Sequence, residues 1–488
     1  MSIQSIDLVA LAPTIVVALG ALVALVVDLV TRRVGAALTV GIVAIALAIP
    51  FTLAATGERS LCASTDQAPS QCAYVVDPIS VALQLVVLAG TLVVLLMAHA
   101  DVKAKVIPGG EFTFLLLSSA SGAVLVPAVN DLVTLIVALE VVSLPVFALV
   151  ALNQRDHRAA EGAMKAFVYS AASVAVSLFG AALLYGDTGE LTFPQLHVAS
   201  TDAAPSPIAT AGLVMLLAVM VFKVAAVPFH AWAPDTYESA TVPVAAYLSV
   251  VSKSAGIAGL LLVTWTFAGW SQVWAPVIAA AAMATMLTAN VVALRQRGAV
   301  RLLAWSSIAQ AGYLLVPMAA VTGSIEWGVL VSSAVVGYLA VYAAMNLGAF
   351  AVVAAVTRVD GARSLAEYRS LGRRHPALAV CLAFFLACLA GLPPGVIGLL
   401  VKVDVLAVPA TGGVWWLTAA MAVAIVIGVY YYLAWAAALF RAPIGAEVTR
   451  PRGPRVGRPA AAAVGLCLVV TVALSVLPSL ALGLMDRV

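Results

Sequence analysis

Residues 208–232 read IATAGLVMLLAVMVFKVAAVPFHAW, and this stretch determines the class of fold. It is apolar and long enough for one membrane crossing, which takes about 20 residues of helix. Lys223 nevertheless lies inside the run, and Pro228 and His230 follow it. Proline removes a helical hydrogen bond and clashes with the preceding turn. The stretch therefore predicts a membrane helix that breaks beside an ionisable side chain.

The composition of the whole chain indicates a membrane protein. Of its 488 residues, 64% are hydrophobic and only 10% are charged, whereas soluble proteins carry about 25% charged residues. This excludes a soluble enzyme and a disordered regulator, and makes the lipid bilayer the main surrounding. The net charge of +3 is too small to indicate a nucleic-acid partner. The length allows up to about fourteen or fifteen helical spans.

Fourteen apolar runs are long enough to span a bilayer. They cover residues 8–30, 35–55, 79–99, 112–129, 131–151, 161–185, 208–232, 242–265, 273–294, 301–320, 327–357, 377–407, 413–440 and 459–483. The first run is too long for a signal peptide and has no small-residue cleavage site, so we expect it to be retained as a span.

The basic residues test this count independently, because lysine and arginine concentrate in loops on the inner side of a membrane. With the N-terminus outside, 19 of the 25 basic residues fall in inner loops and two, Arg59 and Arg487, fall outside. The inner residues are Arg32, Arg33, Lys103, Lys105, Arg155, Arg158, Arg295, Arg297, Arg301, Arg358, Arg363, Arg369, Arg373, Arg374, Arg441, Arg450, Arg452, Arg455 and Arg458. One span more or fewer would move all later loops to the opposite side of the membrane and remove this unequal distribution of basic residues. The pattern therefore predicts fourteen spans with both termini outside.

Five ionisable side chains carry the cost of a charge inside the expected spans, which is at least ~2.5 kcal/mol at the bilayer centre. They are Glu140, Lys165, Lys223, Lys253 and Lys402. Structural ion pairs are one explanation, and Glu161 could pair with Lys165 one turn away. A single deep glutamate, however, cannot neutralise four lysines. Because a lysine in a low-dielectric surrounding can exchange its proton near neutral pH, the pattern favours a proton relay.

The span that contains Lys402 is also interrupted, by the sequence GLPPG at residues 391–395. Backbone freed by a break is tolerated at membrane depth only where protein or a water-filled cavity meets it. Two breaks beside lysines therefore indicate a site. His230 lies seven residues after Lys223 and could share its face if the helix recovers. It is either a structural hydrogen-bonding group or a relay member.

Other polar residues in the spans could hold water or bond to neighbouring helices. They are Ser249, Ser252, Ser306, Ser307, Tyr313 and Asn346. In the longest outer loop, Cys62 and Cys72 are expected to form either a disulfide or a pair of free thiols. No CxxC, HExxH, P-loop or GxGxxG sequence occurs. We therefore expect no metal, iron–sulfur, nucleotide or flavin site in this chain.

The topology predicts an internal repeat. Spans four to eight and spans nine to thirteen each contain one broken helix with a lysine, and units with an odd number of helices must be inverted relative to each other. We accordingly expect a three-helix segment at 1–111, a first repeat at 112–265, a second repeat at 266–440 and the last span at 441–488.

Five segments resemble the subunit N family of bacterial NADH-quinone oxidoreductase (respiratory complex I), which is equivalent to mitochondrial NADH dehydrogenase subunit 2. They are 139–145 (LEVVSLP), 222–238 (FKVAAVPFHAWAPDTYE), 249–253 (SVVSK), 301–313 (RLLAWSSIAQAGY) and 345–350 (MNLGAF). The likeness covers residues 110–410 closely and the ends by topology alone.

The resemblance implies an all-α polytopic membrane protein of about fourteen helices, with the antiporter-like fold, two inverted five-helix repeats and broken helices in spans seven and twelve. It implies a proton-translocating subunit of the membrane arm, coupled to quinone reduction elsewhere in the complex. The partners would be antiporter-like subunit M and the small membrane subunits. Quinone and NADH would bind to other subunits, and this chain would hold no cofactor. Its place would be the bacterial inner membrane, with both termini periplasmic.

The resemblance also implies roles for single residues. Glu140 and Lys223 match a glutamate–lysine pair of helices five and seven. Lys253 matches the central lysine, His230 the histidine near the break, and Lys402 the lysine of helix twelve. A glutamate at this last position would instead suggest subunit M. Lys165 remains a candidate from its position in a span.

Lys402 departs from the family pattern, because it stands eleven residues after Gly391 rather than ten. One extra residue rotates a helix by about 100°. Either the break absorbs this residue, so that the amine points into the same interior polar line as Lys253, or the amine faces lipid or a neighbouring subunit.

Two other functions fit the sequence. One is a subunit of a cation/proton antiporter complex, which has the same fold and is driven by ion gradients. A gene neighbourhood without quinone-reducing and flavin subunits would favour it. The other is a structural membrane-arm protein whose charges only stabilise packing. Substitutions that remove charge and leave pumping intact would favour that function.

Overall fold

The computed structural model describes residues 4–31, 33–65, 68–153, 157–320, 325–442 and 456–478. Nineteen α-helices occur in these ranges. In chain order they are α1 (Leu8–Thr31), α2 (Ala36–Ala54), α3 (Pro78–Lys103), α4 (Gly109–Leu125), α5 (Leu132–Ala151), α6 (His157–Thr188), α7 (Phe193–Asp202), α8 (Pro207–Lys223), α9 (Trp232–Ser239), α10 (Val242–Tyr247), α11 (Lys253–Thr266), α12 (Ser271–Ala293), α13 (Ala299–Met318), α14 (Ile325–Asp360), α15 (Leu371–Arg374), α16 (Pro376–Ala390), α17 (Val396–Thr411), α18 (Trp415–Ala438) and α19 (Arg458–Val476).

Twelve helices within the described ranges are long and apolar enough to cross a membrane. The chain is therefore a multi-pass membrane protein, as its composition predicts. The expected seventh and twelfth spans are not among the twelve, because each is divided into shorter helices, α8 with α9 and α16 with α17. The total of fourteen spans, the two inverted repeats and the four-part division of the chain stay predictions.

Both breaks occur where the prolines predict them. The helix α8 ends at Lys223, and turns lead through Pro228 to α9. The helix α16 ends at Ala390 and α17 begins at Val396, beyond the GLPPG sequence. Gly391 ends α16 with a φ of 81°, a left-handed conformation that glycine adopts without steric cost.

A small antiparallel sheet, which the hydropathy pattern does not predict, caps one end of the helices. Its strands are β1 (Gln4–Ser5), β2 (Arg59–Thr65) and β3 (Ala68–Val75), in the order β1-β2-β3. A disulfide joins Cys62 on β2 to Cys72 on β3. The structure thus selects the disulfide from the two alternatives that the sequence leaves open. We call this end of the bundle the hairpin end.

Local capping explains why α3 and α5 begin where they do. Asp77 accepts a hydrogen bond from the Ser80 backbone N–H at 2.6 Å. Asp131 accepts one from the Thr134 N–H at 2.7 Å. Side-chain oxygens in this position satisfy N–H groups that lack partners in the first helical turn.

Basic residues gather at the opposite end, which we call the basic end. Two cavities there share Asp101 and Arg358 in their linings, and the cavities are also lined by Lys103, Arg158, Arg301, Arg363 and Arg458. This agrees with the predicted concentration of basic residues on one side. The predicted positions Arg32, Arg155, Arg450, Arg452, Arg455 and Arg487 lie outside the described residues.

Burial divides the helices into a centre and a periphery. The span from α10 to α11, and α13, are each 89% buried over their apolar windows, whereas α1 and α19 are 33% and 22% buried. The peripheral helices expose apolar side chains such as Leu29 and Val469, as expected for a surface that faces lipid. The central helices therefore form a protected interior in which polar side chains can bond to one another.

Candidate functional site

Glu140 and Lys223 form an ion pair between α5 and α8. The Lys223 Nζ lies 2.6 Å from Glu140 Oε1, and the two side chains are 9% and 20% exposed. The amine also donates to the Oγ atoms of Ser143 at 2.8 Å and Ser170 at 3.2 Å. The predicted proximity of this pair is therefore confirmed. Its amine has three oxygen partners, which suits a group with three donors.

The sequence places this pair through two helix positions. Lys223 is the last residue of α8, and a cation in the last turn interacts favourably with the helix dipole. Ser143 lies three residues after Glu140 on α5, so both reach the same face. Ser170 comes from α6. The break after Lys223 thus leaves its side chain at a junction of three helices.

Lys253 lies in the centre of the molecule, directly after a turn of π-helix at Leu248–Ser252. Such turns are rare and occur frequently at functional sites. The Lys253 side chain is 2% exposed. Its Nζ donates to the Ser307 carbonyl at 2.5 Å and to the Ser307 Oγ at 2.7 Å. Among the described residues, no carboxylate lies within 4.0 Å of this amine.

Three further side chains complete the surroundings of Lys253. Tyr342 donates from its hydroxyl to Ser307 Oγ at 2.9 Å and to the Ser249 carbonyl at 3.1 Å. Asn346 Nδ2 donates to Ser249 Oγ at 2.7 Å. These contacts join α11, α13, α14 and the π-helical turn. The polar residues that the sequence analysis singled out at 249, 307 and 346 therefore meet at one place.

Next to Ser307, a second group of buried hydrogen bonds leads toward the second half of the molecule. The neighbouring residue, Ser306, bonds through its hydroxyl to the Tyr432 hydroxyl. Gln310 Nε2 donates to the same tyrosine oxygen at 3.2 Å, and Tyr338 donates to Gln310 Oε1. All of these side chains are buried.

The next group of contacts leads from Tyr432 to Lys402. The rings of Tyr431 and Tyr432 lie 4.4 Å apart between centroids. Tyr431 donates from its hydroxyl to Asn290 Oδ1 at 3.0 Å, and Asn290 Nδ2 donates to the Tyr313 hydroxyl at 2.9 Å. The Lys402 Nζ lies over the Tyr313 ring, 5.9 Å from its centroid. We call the side chains from Lys253 to Lys402 the polar line.

Lys402 faces the interior and not the lipid. Its side chain is 4% exposed, and its Nζ donates to the Leu389 carbonyl at 2.5 Å. Leu389 lies in the last turn of α16, where a continuous helix would have paired this carbonyl with Pro393, a residue that has no N–H. The break therefore supplies the acceptor for the lysine. Of the two orientations that the one-residue shift allowed, the interior one is confirmed.

The structure does not bring Lys165 into this interior. Its Nζ lies 2.7 Å from Glu161 and 3.5 Å from Asp235, and its side chain is 45% exposed. Arg301 joins the same cluster through Asp235 at 3.3 Å and Glu238 at 2.5 Å. The expected pairing with Glu161 is confirmed, and a role for Lys165 in a relay stays a prediction.

His230 does not share a helical face with Lys223, so that geometric expectation is wrong. The helix ends at Lys223, and His230 lies in the turns before α9, which begins at Trp232. Its ring centroid lies 5.5 Å from that of Trp305 on α13. Its part in a relay stays a prediction.

Between the Lys223 pair and Lys253, the helices touch at Gly256. A Cβ at this position would lie 3.3 Å from the Lys223 Cβ. Gly256 follows Lys253 by three residues on α11, so the two lysine-bearing helices approach closely near the backbone of both lysines. Among the described residues, no three histidine, cysteine or acidic side chains are grouped to hold a metal ion.

The comparisons with known proteins agree with this geometry. Residues 129–428 match the family described as NADH:quinone oxidoreductase/Mrp antiporter, transmembrane. NADH-quinone oxidoreductase subunit N 2 of Streptomyces griseus is 46% identical over 461 residues, which cover 92% of this chain and 85% of that protein. Subunit N of Salinispora tropica is 40% identical over 452 residues, covering 90% and 86%. The chain belongs to the NADH-quinone oxidoreductase subunit N family.

Solved structures support the same family and fold. A chain of respiratory complex I from Thermus thermophilus with bound aureothin superposes with a TM-score of 0.77 at 29% identity, covering 96% of this chain and 98% of that one. A chain of the Mrp complex from Dietzia sp. DQ12-45-1b gives a TM-score of 0.80 at 22% identity, covering 98% and 96%. The second likeness shows the fold alone. The antiporter-like fold class is therefore confirmed.

Much of the polar line was not predicted from the sequence. The residues that were missed are Asn290, Gln310, Tyr338, Tyr342, Tyr431 and Tyr432, together with Ser143 and Ser170 beside the Lys223 pair. One signal was present, because residues 338, 342 and 346 are four apart and so lie on one face of α14. Scanning the spans for polar residues at helical spacing would have found it.

Proposed function

We propose that this chain is the proton-translocating membrane-arm subunit N of a bacterial NADH-quinone oxidoreductase. Two relatives that bear this name are 46% and 40% identical and aligned over at least 90% of this chain. Its partners are then antiporter-like subunit M and the small membrane subunits, in the inner membrane with both termini periplasmic. Quinone and NADH bind to other subunits, and this chain carries no cofactor and no redox chemistry of its own.

Within this function, Glu140, Lys223, Lys253 and Lys402 carry protons along the membrane plane. The observation that supports this most directly is the polar line, in which buried hydroxyl and amide groups follow one another between Lys253 and Lys402. Three of its steps are not hydrogen bonds: Ser306 and Ser307 are chain neighbours, Tyr431 and Tyr432 are in ring contact, and Lys402 lies over the Tyr313 ring. Hydroxyl groups both donate and accept, so successive hydroxyls can pass a proton by exchanging roles. His230 and Lys165 lie outside the polar line, and we assign them supporting roles in the relay.

The Glu140–Lys223 pair acts as a switch that precedes the polar line and delivers protons to it. Opposite charges within about 4–6 Å favour the charged form of each partner, so the amine keeps its proton while Glu140 lies at 2.6 Å. If the carboxylate moves away, a buried amine loses that stabilisation and releases its proton. The break after Lys223 gives the lysine end of α8 the freedom that such a separation needs.

Substitution of Glu140 by glutamine tests the proposal. Glu140→Gln keeps the shape of the side chain but removes the charge that stabilises the Lys223 ammonium. In the assembled complex, reconstituted in liposomes, we expect both quinone reduction and proton uptake to fall by about tenfold or more, because the buried amine loses the opposite charge that favours its protonated form. Glu111→Gln, at an exposed position of α4, is the matched control and should behave as wild type. Unchanged pumping by an assembled Glu140→Gln variant would refute the switch.

A subunit of a cation/proton antiporter complex is the second candidate function. The fold likeness to a chain of the Mrp complex keeps it open, while the identity to subunit N relatives favours the first function. Co-purification decides between the two. The complex I subunit should purify with flavin- and iron–sulfur-containing proteins, and the antiporter subunit should not.

A further inference from the structure

A cavity at the basic end lies apart from the polar line. Its volume is 560 Å³, and it is bounded by the ends of α3 and α14 and by the beginning of α19. The three helices pack against one another. Cavities of roughly 300–1,000 Å³ are the size that holds small ligands, so this space is large enough for a bound molecule.

The rim of the cavity is basic. Lys103 of α3, Arg358 of α14 and Arg458 of α19 line it, and Asp101 is the carboxylate among the lining residues. The fixed charges of these four side chains sum to +2. Among the described residues, none of the three cations has a carboxylate oxygen within 4.0 Å. The Asp101 carboxylate acts on Arg358 from a longer distance, and the rim keeps a net positive charge that attracts an anion.

The wall below the rim is apolar and lined by small side chains. Ala351, Ala354 and Ala355 of α14 line it, at the spacing i, i+3 and i+4 that places residues on one helix face. Alanines leave a shallow groove where larger side chains would fill the space. A small anion without an apolar part would bind to the basic rim and would make no contact with this apolar wall.

We propose that the cavity binds an anionic glycerophospholipid. Its phosphate lies between Arg358 and Arg458, and an acyl chain lies along the alanine face of α14. Arginine recognises phosphate through paired, charge-assisted hydrogen bonds, and basic pockets between membrane helices on the inner side bind anionic headgroups. The proposal does not depend on the proton relay, since none of these residues belongs to the polar line.

Photo-crosslinking tests the proposal on the assembled complex. The purified complex is incubated with vesicles that contain phosphatidylglycerol with a photoactivatable acyl chain, illuminated, digested and analysed by mass spectrometry. In the wild type we expect cross-links to α14 and α19. The double variant Arg358→Gln, Arg458→Gln should reduce them at least tenfold. Arg295→Gln removes an exposed arginine that does not line the cavity and should change nothing.

A second variant keeps the test valid if the double variant fails to assemble. Ala354→Leu fills the groove and leaves every charge in place, so it should also reduce cross-linking severalfold. Co-purification of neighbouring subunits and quinone reductase activity show that each variant is assembled.

Four results would overturn the proposal. Labelling by photoactivatable phosphatidylcholine as strong as that by phosphatidylglycerol would exclude recognition of the anionic headgroup. Loss of labelling in excess inorganic phosphate alone would indicate a site for a soluble anion. Cross-links could be unaffected by the variants. Finally, no lipid could reach α14 because a neighbouring protein subunit covers the cavity. Retained labelling in excess phosphate, lost in the variants, supports the lipid site.

Discussion

Lys253 shows how one residue can be prepared for proton transfer by its neighbours. It is buried, its amine bonds to both the carbonyl and the hydroxyl of Ser307, and Tyr342 and Ser249 contact the same serine. No carboxylate among the described residues lies within 4.0 Å of it. A fixed ion pair would hold its charge in place, whereas hydroxyl partners can both accept and donate. This difference separates Lys253 from the paired Lys223 and from the exposed Lys165.

Tyr432 provides a test of the polar line at this scale. Its hydroxyl contacts Ser306 and Gln310, and Tyr432→Phe removes both contacts without changing the ring. Without this hydroxyl the line loses a group that both donates and accepts, so we expect the rate of proton uptake in liposomes to fall about tenfold, which corresponds to ~1.4 kcal/mol of added barrier. Tyr430→Phe, on the same helix at a side chain that is 68% exposed, should pump normally. Equal pumping by both variants would show that the line does not conduct through Tyr432.

The broken helices show what sequence can predict about an element and what it cannot. Pro228 and the GLPPG sequence place both breaks correctly, because proline removes a helical hydrogen bond wherever it occurs. The course of the chain after a break depends on tertiary contacts, such as the bond from the Val227 N–H to Thr285 Oγ1 at 2.8 Å. For this reason His230 could not be placed from spacing, and the orientation of Lys402 could only be stated as two alternatives.

Gly391 tests the second break. An added Cβ would lie 3.3 Å from Lys402 Cδ and 3.5 Å from its Nζ, at a φ of +81°. Gly391→Ala should therefore displace the amine from the Leu389 carbonyl and reduce proton uptake severalfold. Gly413→Ala is the matched control, because Gly413 has a φ of +79° and open space around its Cβ position. Alanine in this conformation costs ~1–2 kcal/mol at either site, so only the contact with Lys402 differs. Similar loss of pumping in both variants would attribute the effect to backbone strain.

At the scale of the whole molecule, hydropathy and charge predict the architecture better than the details at the membrane surface. Apolar runs and the positions of lysine and arginine predict a polytopic bundle with one basic end, which the described residues confirm. The β2–β3 hairpin and α7 were not predicted, because short polar segments carry little periodicity. The central position of the polar line follows from which helices are buried, and composition alone does not reveal this.

The cysteines test the predicted topology. We predict that the hairpin end lies outside and the basic end inside, because a disulfide between Cys62 and Cys72 needs an oxidising compartment. The chain contains five cysteines, and Cys381, Cys388 and Cys467 are free. In complex denatured without reductant, a maleimide mass tag should therefore add three labels to this chain, and five after reduction. Five labels before reduction would contradict the outer position of the hairpin.

Proton transfer through Lys253 is the central claim, and its most direct test is the variant Lys253→Met in the assembled, liposome-reconstituted complex. Methionine is close in size and leaves no polar group to hold a proton, so packing is largely kept while the relay is cut. We predict that proton uptake driven by NADH oxidation falls at least tenfold, together with quinone reduction if the two are tightly coupled. Wild-type proton uptake at the wild-type rate of NADH oxidation, in a variant that contains all its neighbouring subunits, would contradict the account.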